Sequence, residues 1–595
     1  MESKIESKMD NIHNCFKLPI YYNDKKVELK QHIIDDLELV KTIDISSNPI
    51  YSYCFNNESE LSKQLNNQLC QYYTTDVDFL KDNQMLLKTY KKQNNTVVQG
   101  PNRCKKMLDI WSDIKSETGF KEKYYYIDWS MFEGLNKSEH FLEVMSIYNL
   151  ASPIISLFIP IILLIIPFFV IRLKGLTLTM NEYINVLKVI ISNHAIGKLF
   201  TKFNDVSFNE KIYLLLSAAF YVFSIYQNII VCYRFNNNMH KIHDFLKLTE
   251  EYLDYTTESM DNYLSYSNKL SSHCHFNDIL KEKINTLVLF KQSLSKITEY
   301  NLKNYKKVFE IGHVLKYFYQ LYEDPKYNDA FLYSFGFNGY IDCIEGLQNN
   351  IVERKINYST FIDDHKKASF TNNYYACLKD DAPVKNTINL RKNTIITGPN
   401  ASGKTTVLKS SLINIILTQQ FGCGFYDSAE MKPYKYIHCY LNIPDTSGRD
   451  SLFQAEARRC KEILDIVDSN KNDGHFCAFD ELYSGTNPDE AVTSAIAFME
   501  YLVKNPNLSC ILTTHFVKVC KKLNKNKNVR NCHMIAEKTG NKIKYTYKLD
   551  KGISRVKGGI NVLTDMNYPA EIINNTINRI KKSVSKSMAS NSLSK

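Results

Sequence analysis

A chain of 595 residues, 44% hydrophobic and 23% charged, has enough apolar side chains for a sizeable core in two to four domains, which excludes a wholly disordered polymer. Its net charge of +11 favours an anionic partner, nucleic acid or a lipid surface, although the excess is spread thinly along the chain. Fifteen scattered cysteines without a C-x-x-C pair point to a reducing compartment and buried thiols, not to a disulfide framework or a zinc site; Cys477, inside an apolar run, reads as a small core residue. The abundance of Asn, Ile, Lys and Tyr fits an AT-rich genome. The first thirty residues are charged and polar, so no signal peptide is expected.

Residues 1–147 read as a mixed, polar N-terminal region of unassigned role. Ile33, Ile34, Leu37, Leu39 and Val40 suggest short helices. Tyr124-Tyr125-Tyr126-Ile127-Asp128-Trp129 is either a strand or an aromatic packing element. The composition then changes sharply. Pro153 to Ile171 carries no charge and is closed by Arg172 and Lys174, about the length of a helix that crosses a bilayer. Pro160 and Pro167 are expected to kink it, which lipid-embedded helices tolerate. A second uncharged stretch, Ile212 to Cys232, lies between Lys211 and Arg234. Residues 148–234 therefore read as a two-helix transmembrane hairpin with spans 153–171 and 212–232, the alternative being a buried helical hairpin in an all-α domain. Two spans return the chain to its starting side, so both soluble ends share the cytosol; positive charge flanks both spans and leaves the orientation open. Residues 235–369 read as helical, with Leu280, Ile284 and Leu287 at helical spacing. Either long levers or an ordinary bundle fit that pattern.

From residue 370 strand and helix alternate. Candidate strands are 393–397, 436–441, 475–479 and 510–514, and helices follow 403, 451 and 489: an α/β layered domain. Thr394 to Thr406 reads T-I-I-T-G-P-N-A-S-G-K-T-T. Gly398 to Thr405 fits G-x-x-x-x-G-K-[ST] between an apolar strand and a helix, the context a phosphate-binding loop requires. Gly398 and Gly403 let the loop through Pro399 curl so that the N–H groups of Asn400, Ala401 and Ser402 face an anion, and the helix N-terminus adds partial positive charge. In this reading Lys404 reaches the β- and γ-phosphates of ATP, the Thr405 hydroxyl holds Mg²⁺, and Thr406 closes the loop. The apolar run His475 to Phe479 ends in Asp480-Glu481: Asp480 as a Mg²⁺ acid of the Walker B kind, Glu481 as general base on water. Ile511-Leu512-Thr513-Thr514-His515 ends in a histidine placed to sense the γ-phosphate or hold the water.

The set G-P-N-A-S-G-K-T-T (398–406), D-E-L-Y-S-G-T-N (480–487) and T-T-H-F (513–516) resembles the ATPase domain of the MutS family, over about residues 370–582. The resemblance implies a P-loop NTPase of the ABC-type ATPase fold at the C-terminus, preceded by a mostly α-helical region with the transmembrane hairpin, and followed by a basic Ser-rich tail at 583–595. Ser451-Leu452-Phe453-Gln454-Ala455-Glu456 resembles the family's S-x-F-x-x-E, which implies that Ser451 contacts the γ-phosphate of a dimer partner. Gly552-Ile553-Ser554 and Gly558-Gly559-Ile560 resemble the loop before the last helix, and Ala570 to Lys582 the helix that packs across the ATPase dimer. Ser451 to Leu464 is most similar to a MutS-related branch that carries membrane spans. Two departures stand out. Asn386 fits the asparagine that cradles adenine, but Pro383 stands where an aromatic belongs, so stacking is expected from Tyr374 or Tyr375. The mismatch-reading Phe-x-Glu has no counterpart in residues 1–147; Gly424-Phe425-Tyr426-Asp427 mimics it inside the ATPase domain. No C-terminal nuclease motif is found.

The expected function is that of a membrane-anchored, homodimeric ATPase whose closure on ATP is coupled to binding mismatched or branched DNA, with the ATPase on the cytosolic side. An ATP-switched membrane clamp without nucleic acid shares every ATPase residue and is the alternative. A transport-type ATP-binding cassette protein shares the loop and the D-E pair but requires an L-S-G-G-Q signature that is missing here.

Overall fold

The computed structural model describes residues 12–579 apart from 45, 58, 93–99, 117, 176–178, 194, 202, 299, 301–304, 366–367, 444–450, 540–541, 555, 557–562 and 565. The chain opens with β1 (Lys26–Glu28), α1 (Gln31–Asp36), α2 (Ile50–Phe55), α3 (Glu60–Leu69), β2 (Tyr72–Thr74) and α4 (Val77–Thr89). Ser59 and Asp76 start α3 and α4, each side chain accepting from a backbone N–H of the first turn, the usual way orphan donors are satisfied. A helical run follows: α5 (Gly100–Ser116), α6 (Phe120–Lys123), α7 (Glu139–Leu173), α8 (Met180–Asn193), α9 (Ala195–Thr201), α10 (Phe208–Ser267), α11 (Cys274–Leu294), α12 (Ile311–Glu323) and α13 (Pro325–Val352).

The chain divides into two compact units that do not follow the linear order of the sequence: Met1–Gln93, Ser259–Lys281 and Tyr333–Lys595 form one, Asn94–Glu258 and Glu282–Leu332 the other. The divisions expected at 147/148, 234/235 and 369/370 therefore differ from the compact units. The physical reason is that the N-terminal region packs on the C-terminal α/β domain, while the helical excursion leaves and re-enters.

The second unit is helical. Trp111 stacks on Phe331 with ring centroids 4.9 Å apart, and Phe120 stacks on Tyr322. Tyr126 is buried and donates its hydroxyl to the Leu315 carbonyl at 2.7 Å. Residues 124–129 are thus an aromatic packing element and not a strand. Helix α7 runs unbroken through Pro160 and Pro167. Its Ile154, Leu157, Phe158 and Phe169, and Ile212, Leu215, Phe220 and Phe223 of α10, are exposed. Among the described residues, Glu139–Phe158 and Phe208–Ser267 are long and apolar enough to cross a membrane, by length and composition. Between them α8 and α9 fill the connection that the sequence left without structure.

Besides the two-stranded sheet β1-β2, the first unit holds two larger sheets. Strands β3 (Asn357–Phe361), β4 (Ser369–Asn373), β5 (Asn386–Asn389), β6 (Asn393–Thr397), β7 (Cys423–Gly424), β8 (Ser428–Met431), β9 (Tyr436–Tyr440), β10 (His475–Asp480), β11 (Leu508–Thr514), β12 (Val529–Thr539) and β13 (Lys542–Lys551) alternate with α14 (Lys404–Phe421), α15 (Leu452–Ser469), α16 (Pro488–Leu502) and α17 (Val517–Leu523). The six-stranded sheet has the order β13-β12-β6-β11-β10-β9 and is parallel except at β13. The five-stranded sheet has the order β5-β4-β8-β3-β7. The four expected strands and the three expected helices are present within two residues; β12, β13 and the whole second sheet were not expected. Cys477 is a core residue of β10, and none of the fifteen cysteines is in a disulfide.

Helix α14 is buried on every side. Its outer face is covered by the N-terminal region through polar contacts: Tyr51 donates to Gln420 Oε1 at 2.7 Å, Asn83 to the Gln420 carbonyl at 3.0 Å, and Gln419 to the Thr74 carbonyl at 3.2 Å. Buried amides need such partners, because an unsatisfied one costs about 1–3 kcal/mol. Phe425 and Tyr426 are fully buried, so the Phe-x-Glu mimic is core. Gly558-Gly559-Ile560, residues 580–582 of the last helix and the 583–595 tail lie outside the described residues; residues 570–579 are helical.

Candidate functional site

The loop 398–403 joins β6 to α14 at the centre of the parallel sheet, where strand order reverses, the place open α/β sheets build sites. Gly403 is the N-cap of α14 with φ +92°, a left-handed conformation that suits glycine. Ala401, at φ +63°, shares that region without being glycine. Lys404 Nζ donates to the Gly398 and Pro399 carbonyls at 3.1 and 3.2 Å and lies 3.7 Å from Glu481 Oε1. Ser402 is buried, and its Oγ has no hydrogen-bond partner among the described residues.

The end of β10 faces this loop. Thr405 Oγ1 donates to Asp480 Oδ2 at 2.9 Å, and Thr513 Oγ1 donates to the other oxygen of Asp480. Glu481 follows at φ +50°, a strained position of the kind that clusters at functional sites. Its Oε1 lies 3.4 Å from His515 Nδ1. The hydrogen bond from His515, with Lys404 adding to it against the effect of burial, holds the Glu481 carboxyl below its ordinary range, so it is an ionised acceptor at neutral pH. Five side chains from two elements and two loops, Lys404, Thr405, Asp480, Glu481 and His515, thus converge.

The first four border a cavity of about 540 Å³, lined further by Asn400, Ala401, Gly403, Thr406, Tyr374, Tyr375, Val384, Asn386 and Tyr547, within the range of small-molecule sites; His515 joins them through Glu481. Asn386 is not a free amide: it donates to the Tyr547 carbonyl at 3.0 Å and accepts from Leu549 N at 2.8 Å, so it ties β13 to β5. Tyr374 is buried and donates to the Lys355 carbonyl at 2.5 Å. Tyr547 is exposed, at φ +58°, with its ring edge against Gly403. It was missed in the sequence because β13 was not expected; its only sequence signal is the alternation Tyr545-Thr546-Tyr547.

Ser451 is not brought to this cavity. It caps α15: its side chain accepts from Gln454 N, and the Gln454 side chain accepts from Ser451 N. Five residues on, Glu456 is almost fully buried and takes three hydrogen bonds, from Ser484 N, Ser484 Oγ and Gly485 N at 3.0–3.1 Å. A Cβ at Gly485 would stand 2.6 Å from Leu452 Cγ, so glycine is required for the turn after Glu481 to meet α15. Glu456 therefore joins the S-x-F-x-x-E segment to the acidic strand end, a role the sequence did not disclose. Among the described residues no cluster of three or more His, Cys, Asp and Glu is arranged to hold a metal ion. The Thr405 hydroxyl and the Asp480 carboxylate are all-oxygen donors of the kind a hard divalent cation takes, and they fit Mg²⁺.

Residues 394–583 match the family model described as MutS domain V, which defines the class of this domain. Similar proteins include the DNA mismatch repair protein MutS of Persephonella marina, 26% identical over 231 residues that cover 38% of this chain and 26% of that protein. The DNA mismatch repair protein Msh3 of Dictyostelium discoideum is 28% identical over 227 residues, 35% of this chain and 16% of its own length. The human MutS protein homolog 4 is 31% identical over 187 residues, 30% and 19% of the two chains. The likeness to MutS proteins is carried by this domain, residues 394–583. It spans about a quarter or less of the length of these relatives.

Proposed function

We propose that this chain is a membrane-anchored MutS-like ATPase that couples ATP hydrolysis and dimer closure to the binding of mismatched or branched DNA. The observation that carries the ATPase reading is the convergence of Lys404, Thr405, Asp480 and Glu481 on one cavity at the β6–α14 loop, with His515 against Glu481. The backbone N–H groups of 400–403 cradle the phosphates of ATP as a P-loop does. Lys404, held by its own loop carbonyls and near Glu481, turns to the β- and γ-phosphates. Thr405 and Asp480 would hold Mg²⁺, which would supply charge neutralisation at the phosphates. Glu481, ionised and oriented by His515, accepts the proton of the attacking water. Asn386 fixes the hairpin that carries Tyr547, and Tyr547 with Tyr375 and Val384 forms the base end of the cavity, replacing the aromatic missing at Pro383. Ser451, at the N-terminus of α15, enters the partner subunit's site, and Glu456 links its helix to Glu481.

The exposed apolar side chains of α7 and α10 support anchoring in a membrane, with the ATPase domain on the cytosolic side. DNA binding is supported by the relatives named as DNA mismatch repair proteins and by the positive net charge. The second reading, a membrane clamp that uses ATP without nucleic acid, is favoured by the same exposed helices. Equilibrium binding of duplex, mismatched and branched DNA to the detergent-purified Glu481→Gln protein, with and without ATP, separates the two. DNA binding in at least one nucleotide state is expected; none in any state leaves the clamp.

A further inference from the structure

A second recess, of about 1040 Å³, opens at the opposite end of the six-stranded sheet. Lys392 enters it just before β6, Arg530 at the start of β12, Lys551 at the end of the antiparallel β13, and Lys521, Lys525 and Lys527 from the end of α17 and the turn after it. The loop 398–403, by contrast, follows the C-terminal end of β6. No Asp or Glu lines the recess. The five lysines are exposed, and among the described residues none is in an ion pair. Arg530 donates to the Asn389 carbonyl at 3.0 Å and to Thr394 Oγ1 at 3.3 Å, while its Nε is buried without a partner among the described residues. Asn524, Asn526 and Asn531 stand between the cations.

The helix dipole accounts for part of this charge, since cations are favoured in the last turn of a helix, and Lys521 lies there. It does not account for Lys392, Lys525, Lys527 and Lys551, which come from other segments. Converging like charges repel, and such a field is retained where an anionic partner neutralises it. A second copy of this chain does not supply that anion through its C-terminal segment, because Lys581, Lys582 and Lys586 are also basic. The mixture of Lys, Arg and Asn with no carboxylate is the set that contacts phosphate and sugar without reading bases.

We infer that this recess takes the phosphate backbone of duplex DNA. The inference rests on the DNA-binding reading above and locates the contact on the ATPase-like domain. The test is binding of a fluorescent duplex to the full-length, detergent-solubilised triple variant Lys521→Ala, Lys525→Ala, Lys527→Ala across a salt series. A control triple removes the exposed Lys63, Lys81 and Lys432 of the same unit. The recess variant should bind about tenfold or more weakly near physiological salt, with the slope of log K against log salt reduced by about 0.9 for each phosphate no longer neutralised. The control should bind like the wild type, and basal ATP turnover should be unchanged in both, because none of these lysines lines the 540 Å³ cavity. Wild-type affinity and slope in the recess variant would overturn the inference and leave DNA binding elsewhere on the chain. A wild-type protein that binds no DNA in any nucleotide state would remove the DNA reading itself, and this inference with it. Loss of binding to phosphatidylserine vesicles with DNA binding intact would overturn it in favour of an anionic lipid surface.

Discussion

Helices α14 and α10 are both rich in apolar residues, yet they meet opposite fates. In α14, Leu412, Ile415 and Ile416 are fully buried, and Asn414, Thr418, Gln419 and Gln420 are buried with them, each satisfied by a hydrogen bond. In the first half of α10, Leu215 and Leu216 are 53% and 54% exposed and Phe220 is 71% exposed. Apolar content alone does not decide where a helix goes. The cover of α14 is specified by polar groups of the N-terminal region that match its amides, whereas the first half of α10 leaves large apolar side chains exposed.

Equivalent changes in the two helices should therefore have different consequences. Leu412→Ala leaves a cavity in α14 and should cost about 2–5 kcal/mol of stability, read from the denaturation midpoint of the first unit. Leu216→Asp should leave that midpoint unchanged but weaken membrane insertion by about 2.5–3.5 kcal/mol at a central position, read as depletion from the membrane fraction. A denaturation shift with no effect on insertion would make α10 an ordinary core helix. Glu456→Gln probes the buried polar groups of the first unit in the same way. It disturbs three hydrogen bonds to one buried carboxylate and should cost about 1–3 kcal/mol, with a fall in ATP turnover because the turn after Glu481 loosens. Full turnover with reduced stability would confine Glu456 to packing.

Asp36 gives a smaller, pH-dependent effect on the same covered side. Burial raises its carboxyl to about 6, against the pull of Arg459 and of the Cys439 thiol, which donates to Oδ2 at 3.8 Å. In the unfolded chain an aspartate titrates near 3.9. Between about pH 4 and 6 the folded form therefore holds a proton the unfolded form has released, and stability falls as pH rises through that window. Asp36→Asn should be more stable than the wild type by about 1–2 kcal/mol at pH 7, once partial exposure is discounted, with the difference gone below pH 4. An equal gain at both ends would place its origin in packing. The smallest effect is expected for Ser451→Ala, which removes a cap worth about 1 kcal/mol; its midpoint should move slightly, while turnover falls because the partner subunit's site lacks the Ser451 hydroxyl. Unchanged turnover would limit Ser451 to capping.

Legibility in the sequence followed the same division. Strands β6, β10 and β11 were readable because their apolar runs are bounded by sharp chemical signals: the glycine loop, Asp480-Glu481 and His515. Those signals also located the five converging side chains, since residues adjacent to a strand end must lie near it. The five-stranded sheet was not readable. Ser369–Asn373 is mostly polar, and Ser428–Met431 alternates over only four residues, too short a run to signal a strand; their pairing joins segments far apart in sequence. Tyr547 was hidden for the same reason, belonging to a hairpin whose strands are polar at their ends. The cover on α14 was hidden because its matching amides lie more than 300 residues apart in sequence. The apolar stretches of α7 and α10 were visible in composition, whereas α8 and α9 between them were not.

Steady-state ATP hydrolysis by the full-length protein in detergent, beside Lys404→Ala and Glu481→Gln, tests most directly whether the five converging side chains form an ATPase centre. Mg²⁺-dependent turnover is expected in the wild type, with a fall of about 10²–10³-fold in both variants and ATP still retained by Glu481→Gln. Undiminished turnover in Lys404→Ala would contradict that assignment.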